Sequence, residues 1–262
     1  MAFLKHKGRT ICYRLLGDND KPLLILAHAL GMTQGAWDDV IPVLLSKFRI
    51  LTWDLPGHGG SAAWPEASEQ ITAEDLAAEA LALADLSGAN TFYFAGTSIG
   101  GVVGQQLLAY HEHRLTSTVL TNTGAVIGTR DGWATRSADV LQKGLNSMSA
   151  AIVPRWFSTA SCQQQPALVE GWTVIMSRGD DRSYALLCEM LGTCDFSEKL
   201  LQLSTPLLLV GGSDDVATPP ALLETLAQIS GAAAPIILEQ VGHVPSVECP
   251  GELSQILIDY MV

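Results

Sequence analysis

The sequence predicts an α/β protein, a mostly parallel central sheet with helices on both faces, interrupted once by a helical insertion. Three observations predict it. Short apolar runs alternate with stretches of helical spacing, the pattern that returning parallel strands require. One of those runs leads through a glycine-flanked serine directly into a helical stretch. The alternation then lapses between about Thr123 and Thr205 and resumes afterwards.

From the N-terminus, Ala2–His6 and Arg9–Leu15 flank Lys7-Gly8 and predict an opening hairpin. Leu23–Ala27 is a continuous apolar run, suited to a central strand covered on both faces. After the loop His28–Gly35 a helix is expected from Trp37 to Leu45, bent or started late by Pro42, which lacks an amide donor. Phe48–Trp53 predicts the next strand, closed by Asp54-Leu55-Pro56-Gly57-His58-Gly59-Gly60-Ser61. Within Thr72–Leu86, residues Leu76, Ala80, Leu83 and Leu86 recur at helical spacing. Thr72 with Glu74 and Asp75 marks the start of that helix. Ala89–Ala95 predicts a short strand, Gly100–Tyr110 a helix and Ser117–Thr121 a further strand.

Between about Thr123 and Thr205, residues Trp133, Trp156, Phe157, Trp172, Met176, Tyr184 and Met190 lie in helix-prone sequence without a strong strand run. Leu207–Val210 restores the sheet pattern, followed by a helix near Ala221–Ile229 and the strand Pro235–Leu238. Pro250 supplies the fixed φ favoured at the start of a last helix, about Gly251–Tyr260. The expected organisation is a core of residues 1–122 and 206–262, with a helical cap of residues 123–205 inserted into the same domain.

A chain of 262 residues, 48% hydrophobic and 16% charged, can hide roughly three quarters of its unfolded surface and sustain one substantial core. Lys+Arg 15 against Asp+Glu 27 gives a net charge of −12, which opposes binding to nucleic acid or to an anionic membrane surface. Five cysteines, odd in number and widely spaced, contain no CxxC pair, so neither a disulfide framework nor a structural zinc is expected. The opening residues carry basic side chains where a signal peptide needs its apolar core. No run reaches the roughly 18 apolar residues a membrane span needs. A soluble, reduced, cytoplasmic protein is the expectation, with a homo-oligomer left open.

Gly96-Thr97-Ser98-Ile99-Gly100 fits GxSxG, between an apolar run and a helix. A nucleophile on a cramped strand-to-helix turn needs small neighbours, and the helix that follows aims its free amides at a developing anion. The bland reading makes Ser98 a helix cap or a packing residue. Its partners nevertheless follow in order: Ser213-Asp214-Asp215 after one apolar run, and Val241-Gly242-His243 after the next. His243 can take the Ser98 proton and return it to a leaving group, while an acid orients the opposite ring nitrogen. Either aspartate could be that acid on spacing alone. His28 and His58 read as organisers of loops, and His6, His111 and His113 have no better claim.

These motifs resemble the α/β-hydrolase superfamily over essentially the whole chain, and more narrowly the bacterial 3-oxoadipate enol-lactone hydrolases. The segments that carry the resemblance are Ala27–Gly31, Trp53–Ser61, Gly96–Gln105 and Asn122–Trp133. Ala29 departs from the histidine-glycine pair common in the wider superfamily. The family pattern G-x-x-D-x-x-T-P falls on Gly212, Asp215, Thr218 and Pro219, which favours Asp215 as the acid. The family's oxyanion donors fall on the backbone amides of Leu30 and Ile99.

The resemblance implies an esterase-type hydrolase of aromatic-compound catabolism that opens the enol-lactone of a short dicarboxylic acid, with no cofactor or metal. An anionic small-molecule substrate would gain from a cation in the pocket, and Arg130 and Arg136, either side of Trp133, are candidates. Trp133, Trp156, Trp172 and Met176 can line an apolar wall, and Trp37 can close it, although each can equally pack the core or the cap. A carboxylesterase on another small ester, a carbon–carbon bond hydrolase and a noncatalytic ligand-binding homologue are the alternatives.

Overall fold

The apolar runs pair into one eight-stranded sheet in the computed structural model, which describes residues 1–262. The strands are β1 (Ala2–His6), β2 (Arg9–Leu16), β3 (Leu23–Ala27), β4 (Arg49–Trp53), β5 (Phe92–Thr97), β6 (Leu115–Thr121), β7 (Leu207–Gly212) and β8 (Ile236–Leu238). Their order across the sheet is β1-β2-β4-β3-β5-β6-β7-β8. The β1–β2 and β2–β4 pairings are antiparallel and the other five are parallel.

Parallel strands need crossover connections, and the helices supply them on both faces. These are α1 (Ile41–Leu44), α2 (Ala73–Leu86), α3 (Ile99–Tyr110), α9 (Pro220–Ser230), α10 (Pro245–Glu248) and α11 (Pro250–Met261). Five more helices occupy the stretch between β6 and β7: α4 (Arg130–Lys143), α5 (Leu145–Ile152), α6 (Thr159–Gln164), α7 (Pro166–Ser177) and α8 (Asp181–Thr193).

All five residues of β3 are buried, as a strand covered on both faces requires. Its side chains divide by period two. Ile25 joins Phe94 and Leu209 in the larger core with α2, α3, α9 and the inserted helices. Leu24 and Leu26 join Ala95 and Val210 in the smaller core with α1 and α11. Trp37 is fully buried in that smaller core, so it is a packing residue and not a wall of the site.

One expected element differs. In place of a helix from Trp37 to Leu45, a 3₁₀ turn covers Gln34–Trp37 and α1 starts only at Ile41. Pro42 is the reason, because it lacks an N–H and fits best in a first helical turn. The start of α2 follows the expected chemistry: Thr72 Oγ1 accepts from Asp75 N at 3.1 Å and Asp75 Oδ2 accepts from Thr72 N at 3.1 Å. All five cysteines are free, and no helix is long and apolar enough to cross a membrane.

Candidate active site

One residue, Ser98, makes the turn between β5 and α3. It does so at φ 58° and ψ −115°, a conformation that costs a non-glycine residue about 1–3 kcal/mol. Glycines make the turn possible. A Cβ on Gly96 would collide with the Gly100 carbonyl, and a Cβ on Gly100 would collide with the Ala27 carbonyl of β3. Ser98 N donates to Thr121 O at 3.0 Å, and Thr123 Oγ1 donates to Ser98 O at 3.0 Å. The Ser98 side chain makes no capping hydrogen bond to α3.

Behind β7, Asp215 is buried. Its Oδ1 accepts from Ala217 N at 2.8 Å and Thr218 N at 2.9 Å. Its Oδ2 accepts from Thr218 Oγ1 at 2.7 Å, His243 Nδ1 at 2.8 Å and Asn122 Nδ2 at 2.9 Å. Burial opposes the charge, but the neighbouring His243 and the hydrogen bonds from His243 and Thr218 outweigh it and hold the carboxyl down at about 2. Asp214 is exposed and accepts instead from Ser213 Oγ at 2.9 Å. The contact to the histidine therefore belongs to Asp215.

Main-chain bonds hold the histidine loop. His243 N donates to Trp156 O at 2.8 Å. Glu248 clamps the residue before it, accepting from Gly242 N at 2.7 Å and from Ser158 N at 2.8 Å. With Nδ1 committed to Asp215, Nε2 is the ring nitrogen left for a reacting hydroxyl.

His243, Ser98, Thr218 and Leu30 border a cavity of about 370 Å³ between the core and the inserted helices. The inserted segment contributes Ile127, Trp133, Arg136, Arg155, Trp156 and Tyr184 among others. Two arginines line this cavity and no carboxylate does. Neither arginine forms an ion pair with the protein. Tyr184 stands beside Arg136; burial, with Cys188 adding to it, pushes its phenol pKa up against the pull of the arginine.

Two buried imidazoles support the loop that carries Leu30. His58 Nε2 accepts from Gly31 N at 3.0 Å and His28 Nε2 accepts from Leu55 N at 3.0 Å. The Nδ1 atoms donate to Pro56 O at 2.7 Å and Ala29 O at 2.8 Å. Accepting at Nε2 requires neutral rings, and burial lowers both pKa values, that of His58 to about 4. The Leu30 and Ile99 N–H groups donate to no backbone carbonyl of a loop, turn or cap. Ile99 opens α3 directly after Ser98, with its side chain buried in the core.

Ser98, His243, Leu30, Trp133, Arg136 and Trp156 therefore meet around one cavity, with Asp215 behind the histidine. Arg130 does not reach the cavity wall: it is the exposed first residue of α4. Two steps of three residues turn a helix by about 120°, so Arg130 and Arg136 cannot both face one pocket. Trp172 and Met176 pack in the core and do not line the cavity. Reading the sequence named Thr218 and Asn122 only as positions in the motifs that carry the resemblance, with no role at the site, and did not single out Arg155. The threonine lay inside the motif that carries Asp215 and could have been found there. No group of three or more His, Cys, Asp or Glu side chains is placed to hold a metal ion.

Comparisons with known proteins agree with this fold. Residues 24–256 match the Alpha/beta hydrolase family. The chain is 29% identical over 238 residues to 3-oxoadipate enol-lactonase 2 of Acinetobacter baylyi, covering 91% of this chain and 88% of the relative. It is 27% identical over 246 residues to a pimeloyl-[acyl-carrier protein] methyl ester esterase of Aeromonas hydrophila, covering 90% and 94%. Among solved structures, the enol-lactonase from Burkholderia xenovorans LB400 superposes with a TM-score of 0.93 at 27% identity, over 99% of both chains.

Proposed function

The chain belongs to the Alpha/beta hydrolase family, and on that premise we propose that it is a serine hydrolase opening 3-oxoadipate enol-lactone or a closely related small anionic lactone. One observation carries the reading: Ser98 and His243 border a single cavity whose lining holds two arginines, Arg136 and Arg155, and no carboxylate. The enol-lactonases among the similar proteins support it.

In this mechanism Ser98 Oγ attacks the ring carbonyl while His243 Nε2 takes its proton. The Leu30 and Ile99 amides receive the oxyanion, and two aimed donors there contribute several kcal/mol, roughly 3 each. Collapse breaks the ring carbon–oxygen bond and the His243 proton goes to the departing enol oxygen, which stays tethered to the acyl chain. Water then attacks the acyl-serine and gives a proton to His243; the bond from the acyl carbon to Ser98 Oγ breaks, and His243 returns that proton to Ser98 Oγ as the open acid leaves. Asp215, ionised throughout, stabilises each imidazolium in turn.

Labelling with a fluorophosphonate, followed by peptide mapping, should modify Ser98 stoichiometrically, and folded Ser98→Ala should lose both label and turnover. Turnover of a panel holding 3-oxoadipate enol-lactone, neutral lactones and simple aryl esters tests the substrate. Efficient turnover of only the uncharged members would reject the anionic reading. Arg136→Ala or Arg155→Ala should raise KM for an anionic lactone by about 10-fold or more, as loss of a charge-assisted hydrogen bond does, with little change for a neutral ester.

A small-ester carboxylesterase is the second reading, supported by the similarity to a methyl ester esterase. It uses the same serine chemistry. Faster turnover of a small methyl ester than of any lactone in the panel would favour it.

A further inference from the structure

Thr121, which ends β6, and the two residues after it bond to the Ser98 turn, to Asp215 and to the residue before His243. Thr121 O accepts from Ser98 N, and Thr123 Oγ1 donates to Ser98 O, each at 3.0 Å. Between them, Asn122 N donates to Val210 O of β7 at 2.9 Å. The Asn122 side chain reaches further. Its Nδ2 donates to Asp215 Oδ2 at 2.9 Å and to Gly242 O, the carbonyl preceding His243, at 3.0 Å.

This is a costly place for an asparagine if packing were its task. Asn122 is fully buried, its Oδ1 has no hydrogen-bond partner, and its backbone sits at φ 49° in the left-handed region. Asparagine tolerates that conformation better than most residues, and both amide hydrogens are directed at the acid and histidine loops.

We propose that Asn122 is a positioning residue, whose amide keeps Asp215 Oδ2 on His243 Nδ1 and holds the histidine loop in register with the Ser98 turn. The inference rests on Ser98, His243 and Asp215 acting together as set out above. As His243 takes the serine proton, its positive charge must meet a carboxylate already in place, because reorienting a buried group at that moment adds to the barrier. Ala217 and Thr218 amides fix Oδ1, while Asn122 and Thr218 Oγ1 set where Oδ2 points. The titratable groups facing this amide are Asp215, from the loop after β7, and His243, from the loop before α10.

Two variants test it on the whole protein with p-nitrophenyl acetate and with fluorophosphonate labelling of Ser98. Asn122→Gly keeps a backbone free to adopt φ 49° and removes the amide. It should lower kcat and the labelling rate by roughly 10- to 100-fold with KM within about twofold, the pattern of an interaction made in the transition state. Asn122→Asp keeps the shape and sets a second carboxyl against Asp215. It should move the acid limb of kcat/KM upward by about one pH unit or more, because added negative charge favours protonated His243. This variant carries the test alone if the glycine variant does not fold.

A lower melting temperature with unchanged kcat and an unmoved acid limb would make Asn122 merely structural and overturn the inference. Wild-type protein that labels at Ser98, with both variants labelling at the same rate, would overturn it while leaving the serine mechanism standing. Wild-type protein that takes no label would remove that mechanism and this inference with it.

Discussion

Asp215 accepts five hydrogen bonds, from Ala217 N, Thr218 N, Thr218 Oγ1, His243 Nδ1 and Asn122 Nδ2. A buried carboxylate so surrounded stays ionised far into acid, here to about 2. The consequence for stability has a definite sign. The folded pKa lies below the unfolded value of about 3.9, so the stabilisation is fully present above about pH 4 and is lost as pH falls through about 2. Its size is on the order of 2 kcal/mol. Urea midpoints measured between pH 5 and pH 2 should therefore fall more steeply in the wild type than in Asp215→Asn, by on the order of 2 kcal/mol. At neutral pH the same variant should lose roughly 10³- to 10⁴-fold in kcat, since the amide cannot hold the imidazole in its working tautomer.

At the scale of elements, the β5–α3 turn places the nucleophile, and close backbone approach shapes that turn. Gly100 admits no Cβ because the Ala27 carbonyl of β3 occupies the space. Gly100→Ala should therefore destabilise by roughly 1–3 kcal/mol and slow turnover, since relief can come only by moving Ser98 or β3. Gly171 is the opposite case. It lies inside α7, and nothing stands within 4 Å of an added Cβ. Gly171→Ala should stabilise by about 0.5–1 kcal/mol, because alanine loses less backbone freedom in a helix. Thermal melts of the two variants side by side separate close approach from propensity. Helix geometry also decided the arginines: α4 turns Arg136 into the cavity and leaves its first residue, Arg130, outside.

Across the whole molecule, the inserted helices are bound to the core at several separate places. Trp156 O receives His243 N, and Ser158 N shares Glu248 with Gly242. Asp180 N donates to Gly57 O at 2.9 Å. Arg182 adds bonds to the carbonyls of Trp64 and Ser68 at 3.2 and 2.6 Å. One hydrophobic core also runs through both parts, joining Phe94 and Leu120 to Trp156, Trp172 and Met190. Calorimetry should accordingly show one transition whose calorimetric and van't Hoff enthalpies agree. A separate early transition for the inserted helices would contradict this coupling. The cavity sits at the same junction, so a bound ligand should raise that single melting temperature.

What the amino-acid order determined by itself was local. Apolar runs of strand length, the Thr72 cap, the glycines around Ser98 and the serine-aspartate-histidine order are properties of neighbouring residues, and they disclosed the sheet and the α/β hydrolase family. Only the tertiary structure decided that Asp215, not Asp214, meets the histidine, that Arg155 joins Arg136, and that Asn122 spans the acid and histidine loops. The reason is physical. Periodicity and turn chemistry record which face of an element avoids water, but a polar side chain's partner depends on how distant segments pack. The two Asn122 contacts lie 93 and 120 residues away along the chain, and no local pattern encodes them.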